Sequence, residues 1–521
     1  MDLRLRSIAV VCAFVIACGP TKKKGAGGDD DDSGDAGTIP AGHTLESVTI
    51  TPTNPIIELD LNAMGTQPFA VAANYADGDV EDITGDVTWT VANPAVGSIT
   101  NSVLQTPSFA ASNAIASKLT ASYMGIDGLA QVTVVAYRKT GTNQDFFFTL
   151  PYQDSAGPQD KPLDFATAIP SLDVFFLMDT TGSMGPEIKN LQAALNATVI
   201  PGIAAAVANS AFGVGALEDF PLGGYGTPGT DQPFILKQPI VANNVAAVQA
   251  AVNSLTNAAG NPIGDGFDTP EGGLEAIYQV ATGEGLNMPS PTNIPANHTG
   301  IGGVDFRSGT MPVVVTISDA VSHGVGETTV CNGASVGYVA PVATYAHSRA
   351  QTKTALANIC ARSVGIAPIP DANHLECAGQ AYLEDLAKAT GARVPPAAWD
   401  VGARPAGCAA NQCCTSYNAT GRATDADGLC PVVYLTSTNG ASVSTSIVTG
   451  IQMLTRFATF NVPTDREGVA TDINGAPLPA GHTTADFLKS IPPKSFVLPP
   501  PPPALPNPTF DATTFYNVTP G

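Results

Sequence analysis

The chain has 521 residues, room for two or three domains, with 23 Lys and Arg against 45 Asp and Glu and a formal net charge of -22. Such acidity argues against nucleic acid and anionic membrane surfaces as partners, and for divalent cations and basic or neutral protein surfaces. Glycine (52) and proline (43) are abundant, as in β-rich modules with long loops.

The amino terminus reads as an export signal. Arg4 and Arg6 precede an apolar stretch over residues 8–17 that is too short to cross a bilayer as a mature helix. It ends in Val15, Ile16, Ala17 and Cys18, which resembles the lipobox of bacterial lipoproteins. That resemblance implies cleavage after residue 17, a lipid anchor on Cys18, and an envelope location, with Gly19 pointing to the outer membrane. Residues 18–44 continue from Cys18 into a Lys-, Gly- and Asp-rich run. Its low hydrophobicity cannot bury a core, so a disordered spacer is expected.

Residues 45–137 alternate with period two: Phe69, Val71, Ala73 and Tyr75, then Val87, Trp89 and Val91, then Leu119, Ala121 and Tyr123. Asp77-Gly78 and Asp127-Gly128 supply turn chemistry, and the pattern predicts a β-sandwich. Its opening (Val48 to Pro52) and closing (Ala130 to Ala136) runs resemble bacterial immunoglobulin-like domains, which implies a stalk. Residues 138–170 form a β connector with a strand over 146–152.

From residue 171 the period changes. Residues 174–178 are continuously apolar, as in a strand buried on both faces of a parallel sheet. Ile188, Leu191, Leu195 and Val199 recur at helical spacing up to Pro201. Val245, Val248, Val252 and Leu255 predict a second helix, and Leu274, Ile277 and Ala281 a third. Buried strands follow at 313–317 and 432–435, and a last helix over 442–456. Strands alternating with helices predict a doubly wound α/β domain with a mainly parallel sheet over 171–460. Residues 461–521 form a Pro-rich tail that includes Pro499 to Pro503. Segments flanking the α/β domain on both sides are expected to pair into a small β-layer. Beyond Cys18, seven cysteines (Cys331, Cys360, Cys377, Cys408, Cys413, Cys414 and Cys430) suit up to three disulfides and one spare thiol, with pairing open.

The first buried strand leads into Asp179, Thr180, Thr181, Gly182 and Ser183. Ligands of open parallel sheets sit beyond the carboxyl ends of the strands. Asp179, Thr181 and Ser183, at alternate positions, bring one carboxylate and two hydroxyls to a point, a hard-oxygen set suited to Mg2+, Mn2+ or Ca2+. Two later loops, Asp268-Thr269-Pro270-Glu271-Gly272-Gly273 and Ser318-Asp319-Ala320, precede a helix and follow a strand. Together the three motifs resemble the metal-ion-dependent adhesion site of von Willebrand factor type A domains, in the variant found in integrin β subunits. The resemblance covers residues 171–460. It implies a cation held by Asp179, Thr181, Ser183, Glu271 and Asp319, and a protein ligand bound through an Asp or Glu carboxylate.

That family also carries flanking cation sites, and here the match is partial. Of two acidic positions after the first motif only Glu187 is acidic, the other being Pro186. On the other side Asp268 and the Pro270 carbonyl match, and Glu218 or Asp219 serves as the distant acid. Gly266 stands where the family has asparagine. His323 reads as a loop histidine and Asp425-Ala426-Asp427-Gly428 as a turn. Two alternatives share the chain's features: an envelope or secretion assembly component using the same site, and a metal-dependent hydrolase. The second is weaker, because Thr181 to Gly185 lacks the first glycine of a nucleophile elbow. The chain therefore reads as a binding protein and not an enzyme.

Overall fold

A computed structural model describes residues 9–11, 43–139, 145, 147–149, 160, 162, 167–288, 293–370, 375, 377–400, 404–464, 468–471, 476–495 and 508–519. Cys18, the spacer up to residue 42 and Pro499 to Pro503 lie outside them. The chain divides into two compact units, one centred on Ala166–Thr464 and the other on Arg4–Phe165. Several β-sheets and few helices make up the two.

The described residues of the unit centred on Arg4–Phe165 form β-strands with short 3-10 turns at Pro94–Val96 and Thr484–Phe487. A four-stranded sheet joins Ile56–Leu59, Ile126–Ala136, Asn113–Tyr123 and Thr88–Val91, and a three-stranded one joins Leu45–Thr51, Ala70–Tyr75 and Val80–Asp82. Alternation does the work: Ile50, Val71, Ala73, Leu119, Ala121, Val132 and Val134 meet in one core while their neighbours face outward. One expected turn moves. Residues 113–123 and 126–136 pair across Met124 (φ 48) and Gly125 (φ 82), while Asp127 and Gly128 lie inside the strand. Gly128 serves close approach, since a Cβ there would stand 2.8 Å from the Val48 carbonyl oxygen. The strand Phe147–Thr149 pairs in parallel with Ala9–Val11.

In the second unit six strands form one sheet: β1 (Leu172–Asp179), β2 (Ser210–Leu217), β3 (Ile235–Ala242), β4 (Met311–Ile317), β5 (Arg362–Ile369) and β6 (Val433–Ser437). Their order is β3-β2-β1-β4-β5-β6, parallel throughout except for β3, which runs antiparallel on the edge. Every residue of β1 and β4 is buried, so residues 174–178 and 313–315 read as continuous apolar runs rather than alternating ones. Strands β2, β3 and β5 are not among the runs singled out above. Both β2 and β5 are interrupted by glycine, and Gly213 and Gly215 of β2 make room for the ring of Phe175.

The connections carry α1 (Gly185–Ala194), α2 (Ile200–Ala204), α3 (Val245–Asn253), α4 (Gly273–Thr282), α5 (Arg349–Asn358), α6 (Gln380–Ala389) and α7 (Val443–Phe457). Pro201 does not end the first helix as expected. A π-helical turn over Leu195–Val199 precedes it, and Pro201 falls in the first turn of the next helical segment, where a missing N–H costs little. Asn244 caps α3 by accepting from the Ala247 N–H, and Gly283 ends α4 in the left-handed conformation (φ 69). Among the described residues no helix is long and apolar enough to cross a membrane.

Among the described residues three disulfides staple the loops, Cys331–Cys377, Cys408–Cys414 and Cys413–Cys430, and Cys360 is a free thiol. The last of the three bridges residues 17 apart, and closing such a loop in the unfolded chain is worth about 3 kcal/mol. The Cys413→Ser/Cys430→Ser double variant is therefore expected to lower the unfolding free energy by about that amount in urea titration. The expected pairing of the two flanks takes a different form. Phe460–Pro463, Thr514–Val518 and Thr509–Phe510 form a three-stranded sheet from the carboxyl side alone. The amino-side flank reaches this region through Thr167, whose hydroxyl donates to the Thr519 carbonyl (2.6 Å), because its own strand is paired elsewhere.

Candidate functional site

Where β1 ends, Thr180 N–H still bonds the Leu217 carbonyl of β2 (3.0 Å), and Thr181 then opens a 3-10 turn over Gly182–Met184 that runs into α1. Asp179 organises this loop. Its Oδ1 accepts from the Thr181 N–H (3.0 Å) and hydroxyl (2.7 Å), and its Oδ2 from the Ser318 hydroxyl (2.7 Å) at the end of β4. Ser183 donates to Asp319 Oδ1 (3.2 Å), a second tie between the two strand ends.

Glu271 arrives from a third loop, pinned by its backbone. Its N–H donates to the Val321 carbonyl (3.0 Å), its carbonyl accepts from the His323 N–H (2.8 Å), and the next N–H, of Gly272, reaches the Glu218 carbonyl (2.8 Å). Gly266 is left-handed (φ 73), and a Cβ there would stand 3.0 Å from Glu271 Oε1 and 3.4 Å from Thr181 Cβ. This position, where the resembled family has asparagine, thus works here as a close-packing glycine. Thr181, Ser183, Glu271 and Asp319 line one cleft of about 600 Å³, together with Asp268 and the exposed ring of Phe267. Asp179 is fully buried beside them.

The electrostatics of this end of the sheet are one-sided. Burial pushes Asp179 up to about 7, with the charge of Asp319 adding to it. Burial likewise raises Glu187, Glu218 and Asp219 to about 7, Glu271 well above the usual carboxylate range, and Asp319 above it. Among the described residues, Asp179, Glu187, Glu271 and Asp319 make no ion pair with lysine or arginine. Both oxygens of Glu187, Oε2 of Glu271 and Oδ2 of Asp219 are buried without a hydrogen-bond partner. Unpaired buried carboxylate oxygens are costly. Gathered with neutral hydroxyls and free of nitrogen or sulfur, the set around Asp179 has the chemistry of a hard divalent-cation shell.

The structure separates the two candidate distant acids. Both oxygens of Glu218 are spent, accepting from the Thr180 hydroxyl (2.8 Å) and the Gln232 N–H (2.7 Å). Asp219 faces Asp268, with His323 between them: His323 Nε2 is 3.1 Å from Asp268 Oδ2 and 3.7 Å from Asp219 Oδ2. His323 is therefore no ordinary loop histidine, being 1% exposed. Burial lowers its pKa, but the hydrogen bond to Asp268 and the charge of Asp219 outweigh that and raise it. Sequence reading also missed Asp231. This buried acid accepts from the N–H groups of Thr227 (2.7 Å), Asp265 (2.8 Å) and Gly266 (3.0 Å) and so shapes the loop that ends in Glu271. It lies in a Gly- and Pro-rich stretch with no motif to mark it. Asp425 pairs with Lys388 (2.8 Å) and Asp427 with Arg393, consistent with a turn anchored to its neighbours.

No family model and no curated protein matches the chain. Among solved structures it is similar to the pilus adhesin SpaC from Lactobacillus rhamnosus GG in the open conformation, at 12% identity and a TM-score of 0.28. That similarity covers 68% of this chain and 38% of the adhesin, so the chain spans well under half of that protein's length.

Proposed function

We propose that residues 171–460 form a von Willebrand factor type A domain of the integrin β kind, which binds a protein ligand through a divalent cation. Asp179, Thr181, Ser183, Glu271 and Asp319 would hold Mg2+, or Mn2+ or Ca2+ in its place. The cation would supply the positive charge to which a ligand's Asp or Glu carboxylate attaches. The strand order β3-β2-β1-β4-β5-β6 supports a doubly wound sheet, whose ligands gather beyond the carboxyl ends of its strands. One observation carries the reading: three loops bring Asp179, Glu271 and Asp319 together with raised carboxyl pKa values and no basic partner. A lipid anchor at Cys18 would tether the protein to the cell envelope, with the β-strand unit as a stalk. The reading is of a binding module, because Ser183 donates to a carboxylate and not to a histidine base.

Calorimetric titration of Mg2+ and Mn2+ into the chelator-treated chain tests this. Saturable binding is expected in the parent, with at least a hundredfold loss of affinity (~3 kcal/mol) in Asp179→Ala. Absence of binding in a folded parent, or equal binding in the variant, would sink the reading.

A further inference from the structure

We infer that the flanking cation position matched in the sequence by Asp268 and Asp219 is completed by His323, which changes its chemistry so that it takes Zn2+ or another imidazole-binding ion of its class. The three residues offer one ligand atom each, all within 4.8 Å of one another. The inference does not depend on the occupant of the cleft around Asp179.

The tautomer of His323 is the starting point. Its Nδ1 lies 2.8 Å from the Val336 carbonyl oxygen, which can only accept, so Nδ1 carries the hydrogen. In the neutral ring Nε2 then presents a bare lone pair to Asp268 Oδ2 at 3.1 Å and Asp219 Oδ2 at 3.7 Å. A lone pair facing two carboxylate oxygens is repulsive unless a proton or a metal ion stands between them. An imidazole whose far nitrogen is fixed by a backbone carbonyl is also the usual arrangement of a metal-binding histidine. The ring has little freedom to turn away, being stacked on Tyr338 (4.9 Å between centroids, 27° between planes) and met edge-on by Tyr225 (4.8 Å, 74°).

Asp219 supplies an independent sign. Its Oδ1 is fully engaged, accepting from the Phe220 N–H (2.5 Å) and the Tyr338 hydroxyl (2.6 Å). Its Oδ2, fully buried and without a hydrogen-bond partner, is the oxygen that points at His323. Zinc bonds of about 2.0–2.1 Å in tetrahedral geometry hold ligand atoms about 3.3 Å apart. The observed separations of 3.1 and 3.7 Å bracket that value. Imidazole nitrogen selects Zn2+, Co2+ and Ni2+ over Mg2+ and Ca2+, so the two sites are expected to sort ions by ligand type. Asp268, whose side chain is 37% exposed, leaves a route for the ion to enter from solvent.

Co2+ serves as the spectroscopic probe, added to the chelator-treated full chain in excess Mg2+. The expected result is one tightly held Co2+ per chain with the visible absorption of a low-coordinate ion, in the parent and in Asp179→Ala alike. Asp268→Asn, at a partly exposed position, and His323→Gln should each lose the band while keeping the parent's near-ultraviolet circular dichroism. If His323→Gln unfolds, Asp268→Asn decides alone. No band in the folded parent would mean that His323 is instead an imidazolium bridging two acids, and the site would be withdrawn. A band that persists in Asp268→Asn, or disappears in Asp179→Ala, would place the ion elsewhere and overturn the assignment equally. Mg2+ binding by the parent, measured separately, reports on the proposed adhesion site, so the two ideas fail by different readings.

Discussion

Freed of divalent cations, the chain is expected to be several kcal/mol more stable near pH 5 than near pH 8, and Mg2+ should remove most of that difference. Asp179, Glu187, Glu218 and Asp219 have folded-state pKa values of about 7, against ordinary values of 3.8 for Asp and 4.5 for Glu. Between those limits the folded state holds more protons than the unfolded one, so stability falls as pH rises through the window and the penalty is complete above about pH 7. A shift of this size is worth about 4 kcal/mol for one isolated carboxyl. The four do not sum, because protonating one relieves its neighbours. A cation bound as proposed would supply the positive charge that the protons otherwise provide and so remove the penalty at high pH. Urea midpoints across pH, in chelator and in Mg2+, read this directly. A flat profile in chelator would mean that the acids are relieved by something other than protons.

The second large effect separates two buried aspartates on one strand. Asp173 near the start of β1 is fully satisfied: it accepts from the Arg307 N–H (2.6 Å), Arg307 Nε (2.7 Å) and the Thr310 hydroxyl (2.9 Å), and pairs with the Arg307 guanidinium at 2.6 Å. Asp179 at the other end of β1 has hydroxyl and amide donors but no cationic side chain. Asp173→Ala removes the carboxylate from the Arg307 guanidinium, which keeps Asn209 and the Leu172 carbonyl as partners, and is expected to cost about 3 kcal/mol while leaving Mg2+ affinity unchanged in the folded fraction. Asp179→Ala should do the reverse, abolishing Mg2+ binding while costing little in chelator at high pH, where it removes an unfavourable charge. Thermal melts with and without Mg2+ distinguish the two. Equal destabilisation by both would mean that Asp179 is a structural acid.

What could be read without a structure follows from contiguity. Residues 174–178 of β1 are buried on both faces and apolar throughout, so the run marks itself. Asp179, Thr181 and Ser183 fall within five residues at one strand end, so their proximity follows from local geometry. The loops of Glu271 and Asp319 could be named in advance because each carries its own short motif. The weak points were also local. Pro201 predicts a helix end by ordinary rules, but a π-helical turn lets the chain continue through it. Asp127-Gly128 has the composition of a turn, while Met124-Gly125 makes it. In both cases a neighbouring backbone choice overrode a residue preference.

The sequence alone therefore marked the candidate loops: a short oxygen-rich loop after a buried strand, and the acid-bearing loops that accompany it. The tertiary structure decided which acids meet. Glu218 and Asp219 are adjacent in the chain, and only the fold spends one on Thr180 and Gln232 and turns the other toward His323. His323 and Asp268 are separated by 55 residues, and Asp231 acts on backbone amides 34 and 35 residues away. The cysteine count allowed three bridges without saying which, and the paths of the loops settled the pairs. The physical reason is the same throughout: ligation, hydrogen bonding and disulfide formation act over a few ångströms of space. Local patterning reports such distances only between residues that are near neighbours in the chain.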